Sequence, residues 1–235
     1  MDLIKSVLWA NMLDYPGHVC TSLFFDGCNM DCEFCQNKLL SEEKAIDFDT
    51  EILPKLLERK PMVEYVVLSG GECTIAKECQ KVIDVLYKNG FKIGLHTNGY
   101  YPEFLEKNIN KISYIGMDIK NSFDNYDDIS GVEIDVEKIK KSIDIINNLK
   151  DYEFRTTVYP KYMDTENCVQ IAKYLGEKNA KIYVLQQYKM VNGVNVIPFS
   201  KEKLENIRDL CNKYIRTNLR GIWALGEDFL KENSS

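Results

Sequence analysis

The sequence predicts an α/β fold with parallel strands, and three observations support this class. Short runs rich in Val, Ile, Tyr and Phe alternate with helical segments, and this occurs six times along 235 residues. The middles of the runs are almost continuously apolar, which is typical of strands buried on both faces. The alternation itself places successive strands parallel through right-handed crossovers. Six units could form an open doubly wound sheet or an incomplete barrel, because a closed eight-unit barrel usually needs about 250 residues.

The six predicted strands follow one another along the chain, and five helical segments accompany them. The strands are predicted at 19–27, 65–71, 92–99, 114–120, 152–160 and 181–188. The helices are predicted at 50–60, 75–90, 136–149, 165–176 and 200–215. We expect the chemistry of such a fold to gather where the strands end and the loops begin.

Residues at the ends of the helical segments define their limits. Pro54 requires a helix start or a kink near it, and Gly90 and Gly176 are predicted to end their helices. Thr165 and Ser200 are predicted N-caps. The predicted buried stripes are Ile75, Cys79, Val82, Ile83 and Leu86; Val136, Ile139, Ile143 and Ile146; and Leu204, Ile207, Leu210 and Cys211.

Composition and charge exclude several classes of protein. A net charge of −6 with no dense Lys/Arg run argues against a nucleic-acid partner. No run approaches the ~20 apolar residues that span a bilayer, and the N-terminus lacks the pattern of a secretory signal. We therefore expect a cytoplasmic protein with no membrane partner, forming a single domain over 1–235 with its core at about 19–218. The apolar segment 220–230 is predicted to be a last strand or a docking edge.

Three cysteines lie within eight positions after the first predicted strand. Cys28, Cys32 and Cys35 have the spacing C-x3-C-x2-C, and no fourth cysteine follows nearby. Three thiolates with a fourth ligand suit either a tetrahedral zinc or one [4Fe–4S] cluster. Zinc sites usually pair two C-x2-C knuckles or add histidines, and the only histidines are His18 and His96. The pattern therefore favours a cubane that keeps one iron open to a cofactor.

This cysteine pattern, with Phe34 just before the last cysteine, resembles the radical S-adenosylmethionine superfamily. The resemblance implies a partial (β/α)6 barrel, which agrees with the six units. It also implies that the amino and carboxylate groups of S-adenosyl-L-methionine chelate the open iron. An electron from the reduced cluster then cleaves the sulfonium C–S bond to a 5′-deoxyadenosyl radical, which abstracts hydrogen from a substrate.

Further strand ends match the family, and the resemblance assigns them to the cofactor pocket. A Gly-Gly-Glu motif follows the second strand, Thr-Asn-Gly ends the third and Asp-x-Lys ends the fourth. Asp and Lys two apart on a strand point to the same face and could present a charge pair to a zwitterion. The residues so assigned are Phe34, Asn37, Gly70, Gly71, Glu72, Thr97, Asn98, Asp118, Lys120 and Arg155. His96 stands where some relatives place an aspartate for a monovalent cation, so no cation site is predicted.

The segment Asp14–Gly17 and the ending Cys35-Gln36-Asn37 resemble glycyl-radical-enzyme activases, above all the anaerobic ribonucleoside-triphosphate reductase activating type. Pyruvate formate-lyase activase is a near relative. The resemblance implies a glycyl radical enzyme as partner and a flavodoxin or ferredoxin as electron donor. Three alternatives stay open. They are a radical enzyme acting on a small molecule, such as a 7-carboxy-7-deazaguanine synthase, a peptide-modifying radical enzyme, and a non-enzymatic iron–sulfur or zinc protein.

The remaining cysteines and two glutamines complete the set of candidate residues. Cys20, Cys79, Cys168 and Cys211 sit singly in strand or helix patterns, so we expect them in the core. Cys73 occupies the position where the family often has proline, and a plain substitution is the simpler interpretation. Gln186 and Gln187 end the sixth strand and are either pocket residues or ordinary strand ends.

Overall fold

The computed structural model describes residues 4–191 and 193–221, which form eight strands and seven α-helices. The strands are β1 (Ile4–Asn11), β2 (Cys20–Phe25), β3 (Tyr65–Gly70), β4 (Lys92–Thr97), β5 (Ile112–Asp118), β6 (Tyr152–Val158), β7 (Tyr183–Gln187) and β8 (Thr217–Arg220). The helices are α1 (Leu53–Arg59), α2 (Lys77–Lys88), α3 (Pro102–Asn108), α4 (Tyr126–Ser130), α5 (Val136–Ile146), α6 (Thr165–Glu177) and α7 (Lys201–Cys211). The chain divides into two compact units, here the first unit (1–31, 35–117 and 135–152) and the second unit (32–34, 118–134 and 153–235).

The first unit contains β1 to β4 and all of β5 except its last residue, Asp118, and these strands are adjacent in chain order. β1 runs antiparallel to β2, and β2 to β5 are parallel. Leu23, Leu68 and Leu95 lie side by side across three strands, and all three are fully buried. Because the strand middles are buried on both faces, the carboxyl ends of the strands are where polar side chains collect.

The second unit contains β6, β7 and β8, which are parallel and also adjacent in chain order. Thr156, Leu185 and Leu219 are opposite one another across these strands. Helix α7 packs on α6, where the Cys211 thiol approaches the Cys168 carbonyl oxygen at 3.5 Å. Both thiols are fully buried, which confirms them as core residues.

The predicted α/β class with parallel strands is confirmed, and all six predicted strands are present. Within each unit the strands follow chain order, as in a barrel, whereas a doubly wound sheet reverses its order at a switch point. Strands β1 and β8 were not predicted. The burial of β1 follows no regular alternation, and β8 has only four residues. The single domain over 1–235 stays a prediction.

Several details of the helices differ from the prediction. Helix α2 begins at Lys77, so Ile75 lies in the preceding turn and is 37% exposed rather than buried. The N-cap of α6 is Asp164 rather than Thr165, because its carboxylate accepts the Asn167 N–H while the Asn167 side chain bonds back. The same helix passes Gly176 and reaches Glu177.

Of the other helix predictions, some are wrong and others are confirmed. Val136 and Leu210 are only half-buried, and helices α3 and α4 were not predicted. Pro54 does lie in the first turn of α1, and Ser200 caps α7. None of the helices in the described residues has the length and apolar character needed to cross a bilayer. The segment predicted at 220–230 lies outside the described residues from residue 222 onward.

Candidate cofactor site

The loop after β2 carries the three clustered cysteines, and none of the eight cysteines, all of which lie in the described residues, forms a disulfide. Cys28 is exposed, Cys35 is half-buried and Cys32 is buried. Two N–H groups point at the Cys28 sulfur: the Met30 backbone at 3.4 Å and Asn98 Nδ2 at 3.9 Å. Across residues 4–191 and 193–221, no three His, Cys, Asp or Glu side chains converge on one point where they could coordinate a single metal ion.

The two glycines after β3 allow a close approach between backbones. The Gly71 N–H donates to the Phe25 carbonyl and the Glu72 N–H donates to the Gly27 carbonyl, each at 2.8 Å. Gly70 has a φ of +113°, and a Cβ there would overlap the Phe25 backbone. A Cβ on Gly71 would overlap the Gly27 carbonyl. The two glycines therefore let the Gly-Gly-Glu loop lie directly against the start of the cysteine loop, and their assignment to the cofactor pocket stays a prediction.

Asn37, at the far end of the cysteine loop, contacts the same glycine loop. Its side-chain N–H donates to the Gly70 carbonyl oxygen. The Gly-Gly-Glu loop therefore holds the cysteine loop at both ends, through Gly27 and through Asn37. The role of Asn37 in binding a cofactor stays a prediction, and its visible contact is with the protein backbone.

Glu72 is buried, with 1% of its surface exposed, and its carboxylate collects four hydrogen bonds. Oε1 accepts from the Thr74 hydroxyl at 2.5 Å, the Thr97 hydroxyl at 2.8 Å and the Thr74 N–H at 3.3 Å. Oε2 accepts only the Asn98 N–H, at 2.6 Å. All four donors are neutral, and Glu72 forms no salt bridge within the described residues. Burial raises the pKa of Glu72, and these hydrogen bonds only partly offset that rise.

A ladder of five charged side chains, here the charge ladder, lies in the second unit: Arg220, Glu153, Arg155, Asp118 and Lys120. Arg220 binds Glu153 through two parallel N–H···O bonds of 2.6 and 2.8 Å. Arg155 lies 3.9 Å from Glu153 and donates its Nε–H to Asp118 at 2.9 Å. Lys120 Nζ lies 3.4 Å from the other Asp118 oxygen, so the expected Asp-x-Lys pair is present. Burial is the largest single influence and lowers the pKa of Lys120. Asp118, Cys32 and Tyr126 together outweigh it and raise the pKa above its ordinary value, so Lys120 stays protonated.

Phe34 packs in an aromatic cluster. Its ring centroid lies 5.0 Å from that of Tyr159 and 6.3 Å from that of Tyr188, and the side chain is 7% exposed. The neighbouring Glu33 forms a 2.7 Å ion pair with Lys161. The cofactor role of Phe34 stays a prediction.

Three further candidates from the sequence make contacts with the protein itself. The buried Cys73 thiol approaches the His96 carbonyl at 3.7 Å, which supports its interpretation as a plain substitution. His96 Nε2 lies 2.9 Å from the Asp14 carbonyl and ties the segment before β2 to β4. Gln187 donates to the Phe199 carbonyl at 3.0 Å, but its buried Oε1 has no partner within the described residues, so its role stays open.

Sequence reasoning missed Thr74, Glu153, Arg220 and Asn29. Glu153 and Arg155 lie two apart on β6, so strand period indicates that they share a face. Arg220 begins the segment predicted as a last strand or a docking edge, but nothing in the sequence pairs it with Glu153.

Comparison with known proteins shows which family the chain belongs to. The model of the Radical SAM superfamily matches residues 22–162, more than half of the chain. A candidate glycyl-radical enzyme activating enzyme of Methanocaldococcus jannaschii is 33% identical, covering 91% of this chain and 93% of its own. Pyruvate formate-lyase-activating enzyme of Clostridium pasteurianum is 30% identical over 56% of this chain and 58% of its own. The crystal structure of Streptococcus suis SuiB bound to S-adenosylmethionine superimposes with a TM-score of 0.62 at 14% identity, covering 85% of this chain and 46% of its own.

The extent of the family match agrees with the position of the cysteine loop after β2 and of the Gly-Gly-Glu loop after β3. The chain belongs to the radical SAM superfamily, whose cofactors are a [4Fe–4S] cluster and S-adenosylmethionine.

Proposed function

We propose that this radical SAM enzyme is an activase that installs a glycyl radical in a partner enzyme, and that the partner is an anaerobic ribonucleoside-triphosphate reductase. The observation that carries the proposal is the near full-length similarity to a candidate activating enzyme of M. jannaschii. The similarity to a pyruvate formate-lyase-activating enzyme supports the same class of reaction. A flavodoxin or a ferredoxin is the proposed electron donor.

Cys28, Cys32 and Cys35 are the proposed cluster ligands, and the residues present fit this group. A cubane takes one thiolate on each of three irons, so its ligands surround a cluster and need not converge on one ion. The two N–H groups aimed at the Cys28 sulfur are the kind of donors that tune iron–sulfur sites. When bound, the cluster and S-adenosylmethionine together supply a 5′-deoxyadenosyl radical by one-electron cleavage of the sulfonium.

Glu72 is the proposed acceptor for the ammonium group of S-adenosylmethionine. Its carboxylate is buried among neutral donors, so its charge is not cancelled by any cation that forms a salt bridge in the described residues. Oε2 accepts only one bond and keeps capacity for a second. A charged donor fits this position better than a neutral one, because charge-assisted bonds are about twice as strong.

Lys120 is the proposed partner of the cofactor carboxylate. The charge ladder holds three cations and two carboxylates, and Lys120 is its terminal cation. Asp118 and Arg155 orient the Lys120 ammonium. We propose that the remaining predicted residues also contact the cofactor: Thr97, Asn98, Gly70, Gly71, Phe34 and Asn37.

Anaerobic reconstitution tests the ligand assignment. We expect the wild-type protein to bind four irons per chain and to change its electron paramagnetic resonance spectrum when S-adenosylmethionine is added. Cys28→Ala should lose the cluster, while Cys211→Ala, which removes a buried thiol in α7, should keep it. Full iron content in Cys28→Ala would contradict the assignment.

Mixing the reduced enzyme with the reductase of the same organism tests the activase proposal. We expect a doublet radical signal in the reductase and an equal amount of 5′-deoxyadenosine. A reductase with its radical glycine replaced by alanine is the control and should give neither a doublet nor coupled product. Production of 5′-deoxyadenosine with no radical in the wild-type reductase would keep the superfamily chemistry and exclude this partner.

A further inference from the structure

Asn29 directly follows the first cluster cysteine and has one unsatisfied side-chain group. Its Oδ1 accepts a hydrogen bond from Asn98 Nδ2 at 2.8 Å, and the Cys28 sulfur lies 4.0 Å from the same oxygen. Its Nδ2 is buried and has no hydrogen-bond acceptor in the part of the chain that the structure describes. Buried amide donors are normally bonded, so a buried donor without an acceptor requires an explanation.

The orientation of the Asn29 amide is fixed by a relay of two further residues. The Tyr100 N–H can only donate, and it donates to Asn98 Oδ1 at 3.1 Å. Asn98 must therefore present its NH₂ group to Asn29, where the 2.8 Å contact needs an oxygen. Turning the Asn29 amide over would set two NH₂ groups against each other. The unbonded Asn29 N–H is thus held in place by β4 and the turn that follows it.

We infer that Asn29 Nδ2 donates a hydrogen bond to an anionic acceptor of the bound cofactors. The acceptor is either a sulfur of the cluster or the carboxylate of S-adenosylmethionine, and both would be beside the loop that carries Cys28. This inference rests on the proposed ligand role of Cys28. It adds a cofactor-contacting residue whose geometry is set by the Thr-Asn-Gly turn, and it gives Asn98 a second task as the residue that orients Asn29.

Two substitutions separate the donor from the rest of the side chain. Asn29→Asp removes the donor but keeps an oxygen for Asn98, and it adds a negative charge. Asn29→Ala removes the donor without adding charge. Asn110→Asp, at an exposed position after α3, is the matched control for the charge change. Each variant is reconstituted anaerobically, and its iron content, its cluster midpoint potential without cofactor and its dissociation constant for S-adenosylmethionine are measured.

The two acceptors give different results. If the acceptor is a cluster sulfur, both Asn29 variants lower the midpoint potential in the absence of S-adenosylmethionine, because a bond that favours the reduced cluster is lost. If the acceptor is the cofactor carboxylate, Asn29→Ala leaves that potential unchanged and weakens S-adenosylmethionine binding by about tenfold or more. Asn110→Asp should change neither quantity.

Unchanged potential and affinity in both Asn29 variants at full iron content would overturn the inference. If Asn29→Ala does not fold, unchanged potential and affinity in Asn29→Asp at full iron content still overturn the inference, because that variant preserves the bond to Asn98. Failure of the proposed function gives a different result, since the wild-type protein itself would then hold no four-iron cluster.

Discussion

The two units differ in how they compensate their buried charged side chains. In the first unit, the Glu72 carboxylate is surrounded by neutral donors: two threonine hydroxyls and two backbone N–H groups. In the second unit, the two carboxylates of the charge ladder, Glu153 and Asp118, each lie between two cations. Neutral donors reduce the cost of burying a charge but do not cancel it, whereas paired charges cancel one another.

This difference indicates which group can still attract an ion. Glu72 has no salt-bridge partner in the described residues, so a cationic ligand would supply the compensation that its buried carboxylate lacks. The ladder residues are already compensated, and their bonds fix side-chain positions on β6 and β8.

The largest expected effect comes from removing the central cation of the ladder. Arg155→Met leaves Asp118 and Glu153 each with one cation in place of two. Breaking a buried ion pair costs about 3–5 kcal/mol. Because each carboxylate retains a partner, we expect a loss of about 3 kcal/mol, at the lower end of that range. Urea denaturation of the apoprotein measures the free energy of unfolding.

The exposed Arg216→Met is the control for this experiment, and its effect should stay within about 0.5 kcal/mol. A loss below about 1 kcal/mol in Arg155→Met would show that the ladder stabilises the second unit no more than surface pairs do.

The next effect tests whether Glu72 is reserved for a cation. Glu72→Gln removes the charge and keeps the shape. Its NH₂ group can face the two threonine hydroxyls, which can turn to accept, and its oxygen keeps the Asn98 N–H. Only the long 3.3 Å bond from the Thr74 N–H is lost. We expect the fold to survive and the affinity for S-adenosylmethionine to fall by about 10- to 100-fold. Equilibrium dialysis with reconstituted enzyme measures the affinity. Glu103→Gln, at an exposed position in α3, should bind as the wild type does.

A smaller effect is expected in the pH dependence of stability, which is compared between the wild type and Glu72→Gln, both without cofactor. Burial raises the pKa of Glu72 above its ordinary value of 4.5, so the folded state favours the neutral acid. The contribution of neutral Glu72 to the unfolding free energy is fully present below pH 4.5, and it is lost as the pH rises through the pKa that Glu72 has in the folded state.

The unfolding free energy of the wild type should therefore fall relative to that of Glu72→Gln over that interval. The fall is about 1.4 kcal/mol for each pKa unit of the rise. The titratable neighbours Cys73 and Tyr101 have raised pKa values and do not ionise there. A constant difference between the two proteins from pH 4.5 to 8 would mean that Glu72 is not destabilised by burial.

Local patterns in the sequence predicted several residues of the candidate site, but not the contacts that those residues make with distant segments. The family resemblance assigned Glu72, Asp118 and Lys120 to the cofactor pocket, and strand period predicted that Asp118 and Lys120 share a face, where the structure pairs them. The close approach of the Phe25 and Gly27 backbones to Gly70 and Gly71 was not predicted, since nothing in the sequence shows that these segments lie side by side. Contacts between distant segments, such as Arg220 with Glu153, need the packed fold and leave no periodic trace.

The smallest expected effect tests geometry rather than charge at the outer end of the ladder. Arg220→Lys keeps the cation but replaces a planar fork by a single ammonium, so one of the two bonds to Glu153 is lost. The Arg220 side chain is 36% exposed, and solvent therefore screens much of the interaction. We expect a loss of about 1 kcal/mol, against about 3 kcal/mol for Arg155→Met. Equal losses of unfolding free energy in the two variants would show that the two-bond contact of Arg220 with Glu153 stabilises the ladder as much as Arg155 does, which would contradict the central role given to Arg155.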